Sequence, residues 1–294
     1  MIQSDKGLIY ALSAVLIWST VATAFKIGLR ELDYAQLIFI GAGISALFLL
    51  GYIIVAGQWG EIFKATGKDL LLSALTGALN PFGYYLILFK AYSLLPAQLA
   101  QPLNMIWPLT LALLSVPLLG QKIGVKHFLA MGVSFLGIIV LSSQGGMSGF
   151  RDTNFFGVFL ATGSSILWAL YWILNVKDHR TEAVKLFMSF VFGFLYLLIY
   201  VGLFSDFSFK MGNSLWAAIY IGFFEVGITY LLWMKAMQLS RNNARTGSLI
   251  FLAPFLSLIF ISLILKEKIY LTTPLGLVLI ITGIVWQRFF IKNR

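Results

Sequence analysis

Apolar residues fall in long runs along this chain, and short polar segments separate the runs. An α-helix needs about 20 apolar residues to cross a hydrocarbon core about 30 Å thick. Ten runs have roughly that length, at residues 7–27, 36–57, 69–92, 96–119, 124–143, 154–175, 185–204, 214–238, 244–265 and 271–291. The segments between the runs are too short to hold a soluble domain. The pattern therefore predicts an all-α integral membrane protein with ten transmembrane helices.

An internal repeat organises these predicted helices. Leu86 to Ala91 matches Leu231 to Ala236, a spacing of 231 − 86 = 145 residues, while Pro108 matches Pro254 and Leu16-Ile17-Trp18 matches Ile166-Leu167-Trp168. Each half contains five predicted helices, an odd number, so the second half enters the membrane in the opposite direction. We predict two inverted-topology five-helix repeats, residues 1–148 and 149–294, a construction that many secondary transporters use.

Composition narrows the class of protein. Of the 294 residues, 60% are hydrophobic and 11% are charged, whereas soluble domains have about 45–50% apolar and about 25% charged residues. The net charge of +10 comes from Lys and Arg in the segments between the apolar runs, and not from the basic, aromatic-rich face of a nucleic-acid binder. There is no Cys, and His127 and His179 both fall in predicted loops. We expect a lipid bilayer and a small-molecule substrate as partners, with no nucleic acid, no metal and no cofactor.

The distribution of Lys and Arg predicts the orientation in the membrane. With a cytoplasmic N-terminus, fourteen of them lie on the cytoplasmic side, at positions 6, 64, 68, 122, 126, 177, 180, 185, 235, 241, 245, 288, 292 and 294. Seven lie on the other side, at positions 26, 30, 90, 151, 210, 266 and 268. Cytoplasmic loops carry the excess of positive charge. The chain is therefore predicted to be a multi-pass protein of the cytoplasmic (inner) membrane of a prokaryote, with both termini in the cytoplasm.

Several motifs occur in an order that is typical of a known family. They are Leu16-Ile17-Trp18-Ser19-Thr20, Trp168-Ala169-Leu170-Tyr171, the prolines Pro108 and Pro254, and Leu265-Lys266-Glu267-Lys268. Over essentially its whole length the chain resembles the drug/metabolite transporter superfamily, in its ten-helix EamA-type branch. Asn104-Met105-Ile106-Trp107-Pro108, followed by Leu119-Gly120-Gln121-Lys122, is similar to the aromatic amino acid exporter group of that branch.

The resemblance implies a secondary transporter, and not an enzyme. It would export small metabolites, above all aromatic or neutral amino acids, by alternating access. Asn80-Pro81-Phe82-Gly83 and Arg241-Asn242-Asn243 depart from the family pattern, which leaves the substrate open. The alternatives are a broad-specificity drug or metabolite carrier, a channel, or an intramembrane enzyme. The sequence has no membrane-embedded pair of catalytic side chains and no phosphate loop, which disfavours the enzyme and ATP-driven transport.

Glu225 is the most informative candidate residue, because it is the only acidic residue near the middle of a predicted span. Its repeat partner at the 145-residue spacing is Asn80. Ionisable groups at this depth are functional by default, so one interpretation is that Glu225 binds a substrate ammonium group or carries a coupled proton. The other interpretation is a buried structural carboxyl that is hydrogen-bonded to Asn80 or to a tyrosine.

Further candidates lie on the first, third, fourth, sixth and ninth predicted helices, and one more lies on the eighth. Pro81 interrupts the third helix, where a kink would direct Asn80 and Tyr84 towards a cavity or would serve packing alone. Polar and aromatic side chains three residues apart form a stripe on the fourth helix, and aromatic residues recur at matched places in the first and sixth. The candidate substrate-binding residues are Trp18, Ser19, Thr23, Asn80, Tyr84, Gln101, Asn104, Trp107, Trp168, Tyr171, Glu225, Tyr230, Thr246 and Ser248, with Glu225 as the candidate for ion coupling. For each of them, ordinary helix packing is the alternative.

Overall fold

The computed structural model describes residues 2–120, 125–176, 178–240, 246–247 and 249–286. In this part of the chain, ten apolar helices follow one another along the sequence. They are α1 (Ile2–Gly28), α2 (Tyr34–Val55), α3 (Gly67–Leu94), α4 (Ala97–Asn104 and Trp107–Leu119), α5 (Val125–Ser142), α6 (Phe155–Val176), α7 (Glu182–Phe204), α8 (Asn213–Leu239), α9 (Leu249–Leu265) and α10 (Thr272–Val285).

The helix bounds confirm the predicted all-α membrane fold. Helices α1 to α8 are long and apolar enough to cross a bilayer, while α9 and α10 are shorter apolar helices within the described residues. Two short helices in the connections, Trp59–Ile62 and Met147–Asp152, were not expected from the hydrophobic pattern. The placement of His127 in a loop was wrong, because it lies in the first turn of α5 and is buried. The apolar run continues through this residue, so helix packing buries it.

Side-chain caps define where two of the helices begin. Asp33 accepts hydrogen bonds from the backbone N–H groups of Ala35 and Gln36 at the start of α2, and the Gln36 side chain accepts in return from the Asp33 N–H. Thr66 and Asp69 form the same reciprocal capping box at the start of α3. These bonds satisfy backbone donors that have no partner inside the helix.

Helix α4 is broken where a single helix was predicted. A turn at Met105 and Ile106 separates its two parts, and the N–H of Met105 bonds the carbonyl of Pro102 with the tighter three-residue spacing. The cause is Pro108, which has no N–H to donate to the carbonyl of Asn104 four residues earlier. The repeat partner Pro254 likewise follows a 3₁₀ turn, Leu249–Leu252, in α9.

The chain packs as two compact units, each with helices from both predicted repeats. Unit 1 comprises residues 1–82 and 180–266, and unit 2 comprises residues 83–179 and 267–294. In unit 1, α1 packs against α8 and α9, while α7 packs against α2 and the first part of α3. In unit 2, α5 packs against α10, while α6 packs against α4 and the second part of α3. The border between the units thus divides α3 at Phe82 and Gly83.

Small residues permit the close α5–α10 contact in unit 2. A Cβ atom on Gly137 would lie 2.6 Å from the carbonyl oxygen of Gly276, and one on Gly276 would lie 2.7 Å from that of Gly137. The Ser134 hydroxyl donates to the carbonyl of Ile280 at 2.9 Å. Membrane helices associate through such small residues and hydrogen bonds, because lipid supplies no hydrophobic force between them.

Candidate functional site

Helix α8 is distorted in the middle, around the predicted acidic residue. Gly222–Gly227 forms a π-helical segment, in which the N–H of Ile228 bonds the carbonyl of Phe223 five residues earlier. Glu225 lies inside this segment and its side chain is half-buried. Single π turns inside α-helices are frequently found at functional sites. The acidic residue therefore lies at an irregular point of a membrane-spanning helix.

Helix α3 is distorted at the repeat-related place. Ala78–Gly83 is also a π segment, and Asn80 within it has an extended backbone, with φ −148° and ψ 120°. The Asn80–Pro81 peptide bond is cis. The side chain of Asn80 is 2% exposed, and its Oδ1 has no hydrogen-bond partner among the described residues. The predicted kink is thus present, and it holds a buried amide oxygen that could accept a hydrogen bond.

Trp18 connects α1 to the segment that holds Glu225. Its indole Nε1 donates to the backbone carbonyl oxygen of Glu225 at 3.1 Å. Its ring lies edge-on to Tyr230, with centroids 6.4 Å apart, and is tilted against Trp233 at 5.4 Å. Three of the predicted site residues, Trp18, Glu225 and Tyr230, therefore come together in unit 1.

The remaining candidates of unit 1 have other surroundings. The Ser19 hydroxyl donates to the carbonyl of Leu16 in its own helix, and Thr23 is buried, with no partner for its Oγ1 among the described residues. Thr246 shares a hydrogen bond of 2.6 Å with Ser240. Ser248 lies outside the described residues.

Aromatic rings from α3 and α6 form the centre of a second cluster, in unit 2. The Trp168 ring lies 4.7 Å from the ring of Tyr84 and stacks on Tyr171 at 5.7 Å. Tyr84 and Tyr171 are buried, while Trp168 is half-buried. The matched tryptophans of the two repeats, Trp18 and Trp168, thus both lie in aromatic clusters.

Polar groups of α4 adjoin this aromatic cluster. The Tyr84 hydroxyl donates to Asn104 Oδ1 at 3.0 Å, and Asn104 Nδ2 donates to the Ser164 hydroxyl at 3.1 Å. Gln101 is buried one turn before Asn104, and Trp107 follows the break in the helix and is half-buried. The carboxamide of Asn104 is therefore held in a fixed orientation.

Hydrogen bonds join the start of α4 to the α9–α10 connection, a contact that the sequence pattern does not indicate. The Glu267 carboxylate accepts from the backbone N–H groups of Ala97 at 3.0 Å and Gln98 at 3.2 Å. The Gln98 side chain donates to the carbonyl of Lys268 and accepts from the Thr273 hydroxyl. A carboxylate at a helix N-terminus is favourable, so the Lys266-Glu267-Lys268 motif contains a residue that positions α4.

Metal coordination has no candidate in the described ranges. Within them, no group of three or more His, Asp or Glu side chains is placed to hold an ion. The chemistry that these clusters offer is hydrogen bonding, charge and aromatic contact.

Comparison with known proteins shows that the chain is similar to transporters. The EamA-like transporter family profile matches residues 5–143 and 155–288. An uncharacterized transporter of Archaeoglobus fulgidus is 23% identical over 96% of both chains. The aromatic amino acid exporter YddG of Ancylobacter novellus is 25% identical, over 87% of this chain and 88% of that protein. The uncharacterized transporter YvbV of Bacillus subtilis is 28% identical, over 83% of this chain and 80% of that protein.

The fold also has a counterpart of known structure. One crystal structure superposes with a TM-score of 0.68 and covers 98% of this chain and 99% of its own, at 19% identity. At this identity the likeness concerns the fold alone.

Proposed function

The chain belongs to the EamA-like transporter family, and from that premise we propose that it is a secondary transporter that exports aromatic or neutral amino acids. The observation that carries the proposal is the half-buried Glu225 in the distorted middle of α8. A carboxylate inside a membrane helix is costly unless it faces a partner or a water-filled path. The ammonium group of an amino acid is a partner of the right charge.

The aromatic cluster of unit 2 supports a substrate with an apolar side chain. Trp168 is half-buried, and Tyr84 and Tyr171 hold its ring in place. A rigid indole can receive an aromatic or branched side chain by ring stacking and apolar contact. The relative from Ancylobacter novellus is named as an aromatic amino acid exporter, which favours this substrate class over other small metabolites.

For alternating access we propose that each compact unit moves as one body. Helices from both predicted repeats pack within each unit, so a motion that separated residues 1–148 from 149–294 would break the α1–α8 and α4–α6 contacts. The border in α3 falls inside the distorted segment, where the backbone has fewer regular helical bonds to lose. We also propose a cytoplasmic membrane location with both termini inside, from the excess of Lys and Arg on that side.

Uptake of labelled amino acids into liposomes that contain the purified protein tests the substrate class. We expect saturable uptake of phenylalanine, tryptophan and leucine, and preloaded unlabelled substrate should accelerate it. Trp168→Leu should reduce the uptake of aromatic substrates about tenfold more than that of alanine, because the contact with an aromatic ring is lost. Trp216→Leu is the matched control, since Trp216 is 68% exposed on α8.

The other outcomes distinguish the alternatives. If no amino acid enters the liposomes but another class of metabolite does, the chain is a carrier of that class. Flux that neither saturates nor responds to preloaded substrate would indicate a channel.

A further inference from the structure

The π segment of α8 leaves backbone carbonyls that side chains satisfy. The hydroxyl of Thr229 donates to the carbonyl of Phe224, and the indole of Trp18 donates to the next carbonyl, that of Glu225. A π turn interrupts the regular i to i+4 ladder of an α-helix, and inserted side chains are a known cause of such interruptions. Two consecutive carbonyls of the segment thus have donors from outside the helical ladder.

The geometry of both donors is itself fixed. Thr229 is fully buried one residue beyond the end of the π bonding pattern. The Trp18 ring contacts both Tyr230 and Trp233, and these contacts restrict the direction of its N–H. Neither donor needs to change rotamer to make its bond.

Helix α2 supports the same segment at both of its ends. A Cβ atom on Gly222 would lie 2.5 Å from Cβ of Ile44 and 2.8 Å from the carbonyl oxygen of Gly41, and one on Gly227 would lie 2.7 Å from the ring of Phe48. The hydroxyl of Ser45 donates to the carbonyl of Gly222 at 2.8 Å. The two ends are therefore held against α2, while the centre depends on Trp18 and Thr229.

From these contacts we infer that Trp18 and Thr229 are positioning residues, which hold the segment in its π form and so set the direction of the Glu225 side chain. A π turn accommodates one extra residue, and one residue of an α-helix corresponds to a rotation of about 100°. Loss of either donor favours the regular helix, which turns Glu225 away from its present direction. The inference rests on the proposed function only where it concerns transport. The geometry of Glu225 is open to measurement without it.

Chemical labelling of Glu225 tests the inference directly. A hydrophobic carbodiimide reacts with carboxyl groups inside membranes, and mass spectrometry of the Glu225 peptide measures the rate at one fixed pH, with Glu225→Gln as the blank. The variants are Trp18→Phe, which keeps a ring but has no N–H, and Thr229→Val, which keeps the volume but has no hydroxyl. The controls are Trp233→Phe, in the same aromatic cluster, and Thr76→Val, which removes a buried hydroxyl from α3 and not from the α8 segment.

We expect the labelling rate to change about fivefold in both variants and in the same direction, which is the effect of one hydrogen bond on an equilibrium. The controls should label like the wild type. Wild-type labelling rates in Trp18→Phe and Thr229→Val would overturn the inference, and so would a change of equal size in Trp233→Phe, since that would indicate general loosening. If labelling changes as expected but Glu225→Gln still transports normally, the positioning role stands and the proposed function fails.

Discussion

Helices α3 and α8 are distorted at repeat-related places, but their sequences produce the distortion in different ways. In α3, Pro81 removes a backbone donor and the covalent chain itself interrupts the helix. In α8, Gly222–Gly227 contains no proline, and hydrogen bonds from Trp18 and Thr229 satisfy the displaced carbonyls. The amide of Asn80 therefore lies in a break that is built into the chain, whereas the carboxylate of Glu225 lies in one that non-covalent contacts maintain.

This difference suggests that the two segments have different roles in transport. A break held by two hydrogen bonds can be released and restored at a small free-energy cost, because each bond contributes about 1 kcal/mol net. A break caused by proline cannot be released in that way. We therefore expect the segment with Glu225 to respond to substrate or protons, and the break in the segment with Asn80 to persist throughout transport.

Glycine substitutions give the largest expected effect on stability and test whether both segments depend on close helix contact. A Cβ atom on Gly193 would lie 2.4 Å from Cδ of Pro81, and one on Gly222 would lie 2.5 Å from Cβ of Ile44. Gly193→Ala and Gly222→Ala should each lower the free energy of unfolding by about 1–3 kcal/mol, because they overpack the contact. Unfolding in mixed detergent micelles measures the change.

Gly51→Ala is the matched control, since nothing lies within 4 Å of a Cβ atom at Gly51 in α2. A glycine-to-alanine change in an open helical site is neutral or slightly stabilising. If Gly193→Ala is as stable as Gly51→Ala, the contact between α7 and Pro81 does not hold the α3 segment.

Asn80→Ala tests whether the side chain in the α3 segment serves transport and not stability. The Oδ1 atom of Asn80 is buried, with no hydrogen bond to the rest of the described chain, so its removal should leave the stability unchanged or raise it. Uptake into liposomes should nevertheless fall about tenfold, equivalent to about 1.4 kcal/mol, because we expect this amide oxygen to accept a hydrogen bond from the substrate. The variant would then transport more slowly without any loss of stability.

Ser142→Ala provides the comparison for Asn80→Ala. Ser142 also has a buried side-chain oxygen with no hydrogen bond to a described residue, but it lies at the end of α5. Its substitution should leave uptake unchanged. A loss of stability in Asn80→Ala that matches its loss of uptake would assign Asn80 a structural role instead.

Tyr84→Phe should have the smallest effect of these substitutions, a modest loss of stability with no change at Glu225. Tyr84 occupies the repeat position of Thr229, since 229 − 84 = 145, but its hydroxyl bonds the side chain of Asn104 and not the distorted backbone. Loss of this bond should cost about 1 kcal/mol of stability. The carbodiimide labelling rate of Glu225 should not change. A change comparable with that of Thr229→Val would remove the distinction between the two segments.

The sequence was sufficient to find both segments and to relate them by the repeat, but not to describe them. Pro81 predicts a break in α3 because a proline has no N–H, and Glu225 was found because it is the only acidic residue near the middle of a predicted span. Nothing in Gly222–Gly227 indicates a π turn, since the donors that stabilise it come from Trp18 on another helix and from Thr229. Helix periodicity cannot reveal such contacts, because they depend on how the helices pack.

The same limit explains the other differences from prediction. Trp18 was predicted as a substrate-binding residue from its repeat match with Trp168, but its hydrogen bond to the backbone carbonyl of Glu225 depends on the α1–α8 packing. The cap that Glu267 provides for α4 joins residues 170 positions apart. Apolar runs predict helices because lipid requires every backbone group to be paired within the helix, but no comparable rule assigns partners to side chains.

The most direct test of the central claim is amino acid uptake by liposomes that contain wild type or Glu225→Gln, with and without an imposed pH gradient. Glu61→Gln serves as the control, because Glu61 is an exposed acid paired with Lys64. We predict saturable wild-type uptake that responds to the gradient, about 100-fold slower uptake by Glu225→Gln because a charged contact is lost, and normal uptake by Glu61→Gln. Wild-type exchange that is independent of pH would contradict proton coupling, and normal transport by Glu225→Gln would contradict the role of Glu225 altogether.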